Sequence, residues 1–64
     1  MNWINTKDKL PEKTMDIIIW VTANELWYEA TFSTETNSYI VDLEFGMFFN
    51  LEEVSHWMIP TKPQ

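Results

Sequence analysis

The sequence predicts a mainly β fold: a small single-domain antiparallel meander of three to four strands, forming a curled sheet or an open barrel. Two observations predict it, namely an unbroken apolar, largely β-branched run near position 17 and two later segments in which apolar and polar residues alternate. One short helical turn is expected near positions 50–54. The chain of 64 residues has room for one core, so residues 1–64 form a single domain.

The first predicted strand is DIIIWVTA, residues 16–23. It is too short for a helix, and it is apolar at every position from Ile17 to Val21. Such a strand is expected to be buried on both faces or to lie at the centre of the sheet. A two-residue turn at Asn24 and Glu25 would follow it. The pairs that this turn predicts, all on the core side, are Val21–Tyr28, Ile19–Ala30 and Ile17–Phe32.

The next two strands are predicted over LWYEATFS, residues 26–33, and SYIVDLEF, residues 38–45. Both alternate with a period of two, which is typical of half-buried strands. The core sides of these strands match only if Phe32 lies opposite Tyr39 or a position two residues away. The residues of the later strand expected on the core side are Tyr39, Val41, Leu43 and Phe45.

The remaining elements are short. Gly46, the single glycine, is expected to end the preceding strand. Asn50 is placed to cap one helical turn, with Glu53 completing a capping box. VSHWMI, residues 54–59, is predicted as the last strand, and Trp3 and Ile4 are predicted to anchor an extended or turn-like N-terminal segment.

Charge is the most informative bulk property. The chain has ten acidic residues and four lysines, and it has no arginine. Between Thr14 and Thr61 every charged residue is acidic, apart from the titratable His56. Nucleic-acid and anionic-lipid binding depend on Lys and Arg, so both are disfavoured and a basic partner is favoured. The alternative is that surface acids only maintain solubility. The lysines lie near the two ends: Lys7, Lys9, Lys13 and Lys62.

Several kinds of chemistry have no residues to support them. The absence of cysteine excludes disulfides and thiolate metal sites. A single histidine gives Glu52 and Glu53 no pair of imidazoles with which to hold a metal, and one glycine cannot form a phosphate loop. We therefore expect no enzyme activity, no cofactor and no metal, and we expect His56 to be structural. No apolar run approaches the roughly 20 residues of a membrane helix, so a cytoplasmic location is expected.

The side of the sheet that faces away from the predicted core is unusual because it is both acidic and apolar. Two explanations stay open: the terminal segments cover this side by burying Trp3 or Trp57, or a partner covers it. Exposed apolar patches often mark binding sites, and Trp is enriched at interface hot spots. The candidate partner-binding residues are Trp20, Trp27, Glu29, Asp42 and Glu44, with Ile18 and Ile40 beside them.

The two ends of the chain resemble a known family. NWINTKDKLPE and VSHWMIP are similar to the opening and closing segments of the phage and prophage family catalogued as domain of unknown function 551. The family tends to place proline directly after the methionine, whereas this chain has Ile59 there and proline at Pro60. The matching positions are Trp3, Ile4, Asp8, Leu10 and Pro11, followed by Val54, His56, Trp57 and Met58.

The resemblance implies a mobile-element setting, and therefore the cytoplasm of a host cell, but no catalytic residues. Small acidic phage proteins often bind host proteins, and some occupy the nucleic-acid channel of a defence nuclease as DNA mimics. Our main hypothesis is a non-enzymatic host-defence inhibitor of the anti-CRISPR or nucleic-acid-mimic type, which binds a basic surface of a host protein and contacts neither nucleic acid nor membrane. The alternative is an assembly module that forms a homodimer through its aromatic face. A small-molecule or peptide binder is a third possibility.

Overall fold

The protein is a single antiparallel sheet in a computed structural model that describes residues 3–60. A 3₁₀ helix, Leu51–Glu53, precedes the last strand. The part of the chain described here contains no helix long and apolar enough to span a membrane. The strands are β1 (Ile4–Asn5), β2 (Met15–Val21), β3 (Leu26–Ser33), β4 (Ser38–Asp42), β5 (Met47–Asn50) and β6 (Val54–Met58).

The order of strands across the sheet is β1-β6-β2-β3-β4-β5. Strands β2 to β5 form a meander, but β6, the last of the predicted strands, does not continue it and lies between β1 and β2. The mainly β, antiparallel prediction is confirmed, but the predicted strand number is too low because the short edge strands β1 and β5 were not recognised. The prediction of a central position for the two-sided apolar strand is confirmed for β2.

The core lies against one face of the sheet. The strand alternation places Ile17 and Ile19 on this face, and both are almost completely buried. Tyr28 on β3 and Phe49 on β5 are two strands apart, yet their ring centroids lie 5.3 Å apart on this face. The buried core cluster is Ile17, Ile19, Val21, Ala30, Phe32, Tyr39, Val54 and Trp57.

The segment between β1 and β2, residues 6–14, closes part of this core. The indole Nε1 of Trp57 donates a hydrogen bond to the carbonyl oxygen of Lys9 at 2.8 Å. The hydroxyl of Thr6 donates to the carbonyl oxygen of Val54 at 2.8 Å, and Pro11 is buried. Because the Trp57 ring belongs to the core cluster, its hydrogen bond ties this lysine-bearing segment to the core side of the sheet.

The three hairpins of the meander use four-residue turns, at 22–25, 34–37 and 43–46. Each turn ends on a residue with positive φ: Glu25 at 55°, Asn37 at 52° and Gly46 at 70°. Four-residue hairpin loops are common, and positive φ is accessible to Gly and Asn at little cost. Glu25 adopts this conformation despite its side chain. The predicted two-residue turn at Asn24 and Glu25 is wrong, because the favoured two-residue hairpin turns need positive φ at the first central residue, and Asn24 does not adopt it.

The longer first turn shifts the pairing of β2 and β3 by two residues. Val21 lies opposite Leu26 and not Tyr28, and Ile19 lies opposite Tyr28 and not Ala30. The predicted side of each residue is nevertheless correct, because a shift of two preserves the alternation. Phe32 lies opposite Tyr39, which is one of the registers that the sequence allowed.

Two further local predictions have different outcomes. The capping position is confirmed: Glu53 Oε1 accepts a hydrogen bond from the backbone N–H of Asn50 at 2.9 Å, although the turn is a 3₁₀ helix. The prediction that Leu43 and Phe45 face the core is wrong. Strand β4 ends at Asp42, and both side chains lie in the following turn, where they are more than four-fifths exposed.

Tyr39 generates a stability prediction. Its side chain is 0% exposed, and its hydroxyl has no hydrogen-bond partner among residues 3–60. Burial without a partner disfavours both the hydroxyl and its ionised form, so desolvation raises the pKa of Tyr39 above its ordinary value of 10.0. We expect Tyr39→Phe to raise the free energy of unfolding by up to about 1 kcal/mol at neutral pH.

The effect of alkaline pH follows from the same group. Above pH 10 the unfolded chain releases the Tyr39 proton while the folded chain keeps it, so the wild type loses stability as pH rises further. Denaturant unfolding of both proteins from pH 7 to 11 is the measurement, and the stability advantage of Tyr39→Phe is expected to grow above pH 10. A large loss of stability in Tyr39→Phe at pH 7 would contradict this account of the hydroxyl.

Candidate partner-binding face

The side of the sheet opposite the core, which we call the outer face, is organised in rows that cross the strands. The registers place residues from different strands side by side on this face. The first row is aromatic, and the other two mix apolar and acidic residues. The three rows are Asn5–His56–Trp20–Trp27, then Met58–Ile18–Glu29, then Asp16–Thr31–Ile40–Phe48.

The aromatic row contains two of the predicted site residues. Trp20 lies opposite Trp27 on one side and opposite His56 on the other. Trp27 is 58% exposed and Trp20 is half-buried. Trp3 adds a third indole, with its ring centroid 6.5 Å from that of Trp20 and an interplanar angle of 71°. Neither Trp3 nor His56 was predicted as a site residue, because only the return of β6 beside β2 brings them next to Trp20.

The acidic positions of the outer face lie beside this row. Glu29 is exposed and pairs with Ile18, whose side chain is half-buried. Asp16 is exposed, and its Oδ1 accepts a hydrogen bond from the Thr31 hydroxyl at 2.8 Å. Asp16 was not among the predicted site residues, although its place before the apolar run puts it on the same side as Ile18 by alternation.

Strands β3 and β4 separate where two carboxylates would meet. Their pairing ends at Thr31 and Ile40, and continuing it by two residues would place Glu29 opposite Asp42. Like charges directly across a strand pair are destabilising, and the β4–β5 register also shifts between Ile40 and Asp42. An open depression of about 310 Å³ lies at the separation, with Asp16, Glu29 and Pro60 among its lining residues.

The last two predicted site residues are at the end of β4. Asp42 Oδ1 accepts hydrogen bonds from the backbone N–H groups of Glu44, at 2.9 Å, and Phe45, at 3.3 Å. Asp42 therefore caps the turn as well as ending the strand. The prediction that Glu44 continues the strand on the outer face is wrong, because it lies within the turn at 43–46.

Two of the three lysines in the described chain lie on the core side. Lys9 and Lys13 line a depression with the core residue Trp57, and Lys9 is 3.6 Å from Glu12. Lys7 lines a separate depression with Leu51 and with Asn5 of the aromatic row, and its backbone N–H donates a hydrogen bond to Asn5 Oδ1 at 2.9 Å. All three lysines belong to residues 6–14, which also carry Asp8 and Glu12. The predicted terminal position of Lys62 lies outside the described residues.

The described terminal segments cover only part of the outer face. Trp57 does not cover it, because its ring is in the core on the other side of the sheet. Trp3 does lie on the outer face against Trp20, but it is itself 41% exposed. Within residues 3–60, the chain therefore covers part of Trp20 and leaves Trp27 open.

A second exposed apolar surface occurs at the β4–β5 hairpin. Leu43 is 82% exposed, Phe45 is 84% exposed and Phe48 is 57% exposed. Sequence alternation assigned the first two to the core and gave no indication of this surface. The signal that could have revealed it is Gly46, because a four-residue turn ending at this glycine places residues 43–45 in the turn.

The geometry describes a small antiparallel β domain with one aromatic and acidic face. Residues 3–60 contain no cluster of three His, Asp or Glu side chains that could hold a metal ion. The chain belongs to the family described as "Protein of unknown function (DUF551)", whose model matches residues 2–64. The resemblance read from the two ends is thus confirmed. Searches of curated proteins and of solved structures found no match.

The exposed hairpin gives a prediction about stability. We expect the double substitution Leu43→Ser with Phe45→Ser to change the free energy of unfolding by less than about 0.5 kcal/mol, because neither side chain is buried. The matched control is Phe49→Ser. Phe49 lies on the core side of β5 and contacts Tyr28, so this variant should lose about 2 kcal/mol or more of its free energy of unfolding. Denaturant unfolding measures both, and a loss in the double variant comparable to that in the control would contradict the exposed position.

Proposed function

We propose that this protein is a non-enzymatic, phage-type protein that binds a basic surface of a host protein and inhibits or modulates it. The outer face is the contact surface. A nucleic-acid-binding defence complex such as a CRISPR effector is the favoured target, because its nucleic-acid channel is basic and the carboxylates of this chain would stand where phosphates bind. The chain itself would bind neither nucleic acid nor membrane and would need no cofactor.

The observation that supports the proposal is the charge of the outer face. It carries Asp16 and Glu29, with Asp42 at the end of β4, and none of the three described lysines is in its rows. The lysines belong to residues 6–14, where Asp8 and Glu12 partly offset them. A surface of one charge sign steers an oppositely charged partner and raises the association rate. The phage setting comes from the family resemblance.

The aromatic row would supply the affinity that charge alone does not give. Electrostatic complementarity contributes more to association rate and specificity than to affinity. Large amphipathic side chains at the centre of an interface contribute most of the binding free energy when they are desolvated. Trp27, which is more than half exposed, and Trp20 are placed to do this. Glu29 lies diagonal to Trp20 across the strand pair, so charge and apolar area adjoin.

A second candidate function is an assembly module that forms a homodimer. The observation that favours it is the edge strand β5, which has no charged residue and no proline to block pairing with another strand. It adjoins the exposed Leu43 and Phe45. This surface differs from the aromatic face on which the sequence-based alternative relied. The net charge of −6 on each copy opposes self-association. Sedimentation at micromolar concentration separates the two candidates, since a monomer contradicts the dimer.

The main proposal is tested with two variants that remove the same charge from different places. The face variant is Asp16→Asn, Glu29→Gln and Asp42→Asn, and it keeps the hydrogen-bond acceptors of Asp16 and Asp42. The control variant carries Glu12→Gln, Glu35→Gln and Glu52→Gln, three exposed acids that are not in the rows of the outer face. A partner captured from host lysate should be retained by the control variant and lost by the face variant.

The captured partner then allows a kinetic test. We expect the association rate at low salt to fall about tenfold in the face variant and less in the control, and to fall for the wild type between about 50 and 500 mM salt. Surface plasmon resonance with the purified partner measures both effects. Equal capture by the two variants, or a wild-type association rate that does not change with salt, would contradict the proposal.

A further inference from the structure

Two indoles and one imidazole form a slot on the outer face. Trp3 and Trp20 stand nearly perpendicular, with an interplanar angle of 71° and ring centroids 6.5 Å apart. His56, which pairs with Trp20 across β6 and β2, completes the lining. The slot is open to solvent and has a volume of about 320 Å³. We call this site the Trp3–Trp20 slot.

The slot is not part of the structural core. The core cluster includes neither Trp3 nor Trp20, and Trp3 is 41% exposed. The ring of His56 is held from the side, with its Nδ1 2.9 Å from the Ser55 hydroxyl. Trp57 provides the contrast, because it is 3% exposed and its Nε1 is bonded to Lys9. The packing of the core therefore does not require the perpendicular arrangement of Trp3 and Trp20, and the two indoles form an open site.

The chemistry of the slot favours an organic cation. The face of an indole ring attracts a positive charge, and two indoles at a large angle can contact one cation from two sides. Glu29 lies diagonal to Trp20 and supplies a nearby carboxylate. None of the three described lysines lines the slot. A planar guanidinium stacks on aromatic rings better than an ammonium does.

We propose that the Trp3–Trp20 slot binds an arginine side chain of the partner protein. The guanidinium stacks on the face of one indole and contacts the second, while Glu29, which lies outside the slot lining, contributes a negative charge diagonal to Trp20. This inference rests on the proposed function, since it specifies which group of the basic partner surface is recognised.

The test uses two capped tripeptides and needs no knowledge of the partner. One is Gly-Arg-Gly and the other is Gly-citrulline-Gly, whose side chain is a neutral isostere of arginine. The indole N–H signals of the ¹⁵N-labelled protein are followed by NMR during each titration at constant ionic strength. We expect saturable shifts of the Trp3 and Trp20 signals with the arginine peptide, about five- to tenfold tighter than with citrulline. The buried Trp57 signal should not move.

Three substitutions distinguish the slot from general stacking on exposed aromatic side chains. Trp3→Leu should abolish the saturable shift of Trp20, and Trp3→Phe should retain a weakened shift. Phe45→Leu is the control, because Phe45 is a highly exposed aromatic residue in the turn at 43–46, outside the slot lining and the rows of the outer face, and it should leave the titration unchanged. Equal shifts with both peptides, or loss of binding in Phe45→Leu but not in Trp3→Leu, would overturn the proposal.

The result also separates this inference from the proposed function. If the slot binds arginine selectively and the face variant still captures the partner, the slot is upheld and the outer face as the contact surface is overturned. Loss of capture in the face variant, with no selectivity between the two peptides, would uphold the face and overturn the slot.

Discussion

The structure depends on one strand that is apolar on both sides. β2 contributes Ile17, Ile19 and Val21 to the core, and the same run places Ile18 and Trp20 on the opposite side. A strand can satisfy this pattern only at the centre of a sheet, between β6 and β3. The apolar character of the outer face is therefore a direct consequence of the strand that organises the core. The strands on either side of β2 determine the chemistry of the outer face, because they add Trp27, Glu29 and His56 to it.

The distribution of charge depends on a second constraint, the fixed path of residues 6–14. The bond from Trp57 Nε1 to the Lys9 carbonyl holds this segment against the core. Lys9 and Lys13, which line a depression with Trp57, are thereby held on the core side, away from Asp16 and Glu29. The same segment also carries Asp8 and Glu12, which partly offset its lysines. The same alternation that turns Trp57 inward turns its neighbour His56 outward, toward Trp20.

Sequence reasoning recovered what depends on alternation and missed what depends on turn length or distant pairing. It assigned the correct side to Ile19 and Ala30 because a register error of two residues leaves sides unchanged. It missed the true register because the first turn has four residues, 22–25, and not the two that Asn24 and Glu25 would form. It placed Phe45 in the core because SYIVDLEF keeps alternating past the point where the turn begins. The slot at Trp3 could not be predicted, since it requires β1, β6 and β2 to be adjacent.

The central claim is that the outer face has a stronger negative potential than the segment at residues 7–13. Paramagnetic relaxation with small nitroxide probes, one cationic and one anionic, measures this directly at each backbone amide and indole N–H. We expect stronger relaxation by the cationic probe than by the anionic one at Trp20, Trp27 and Glu29, and a smaller difference along residues 7–13, where three lysines offset Asp8 and Glu12. Equal relaxation by the two probes on the outer face would contradict the claim.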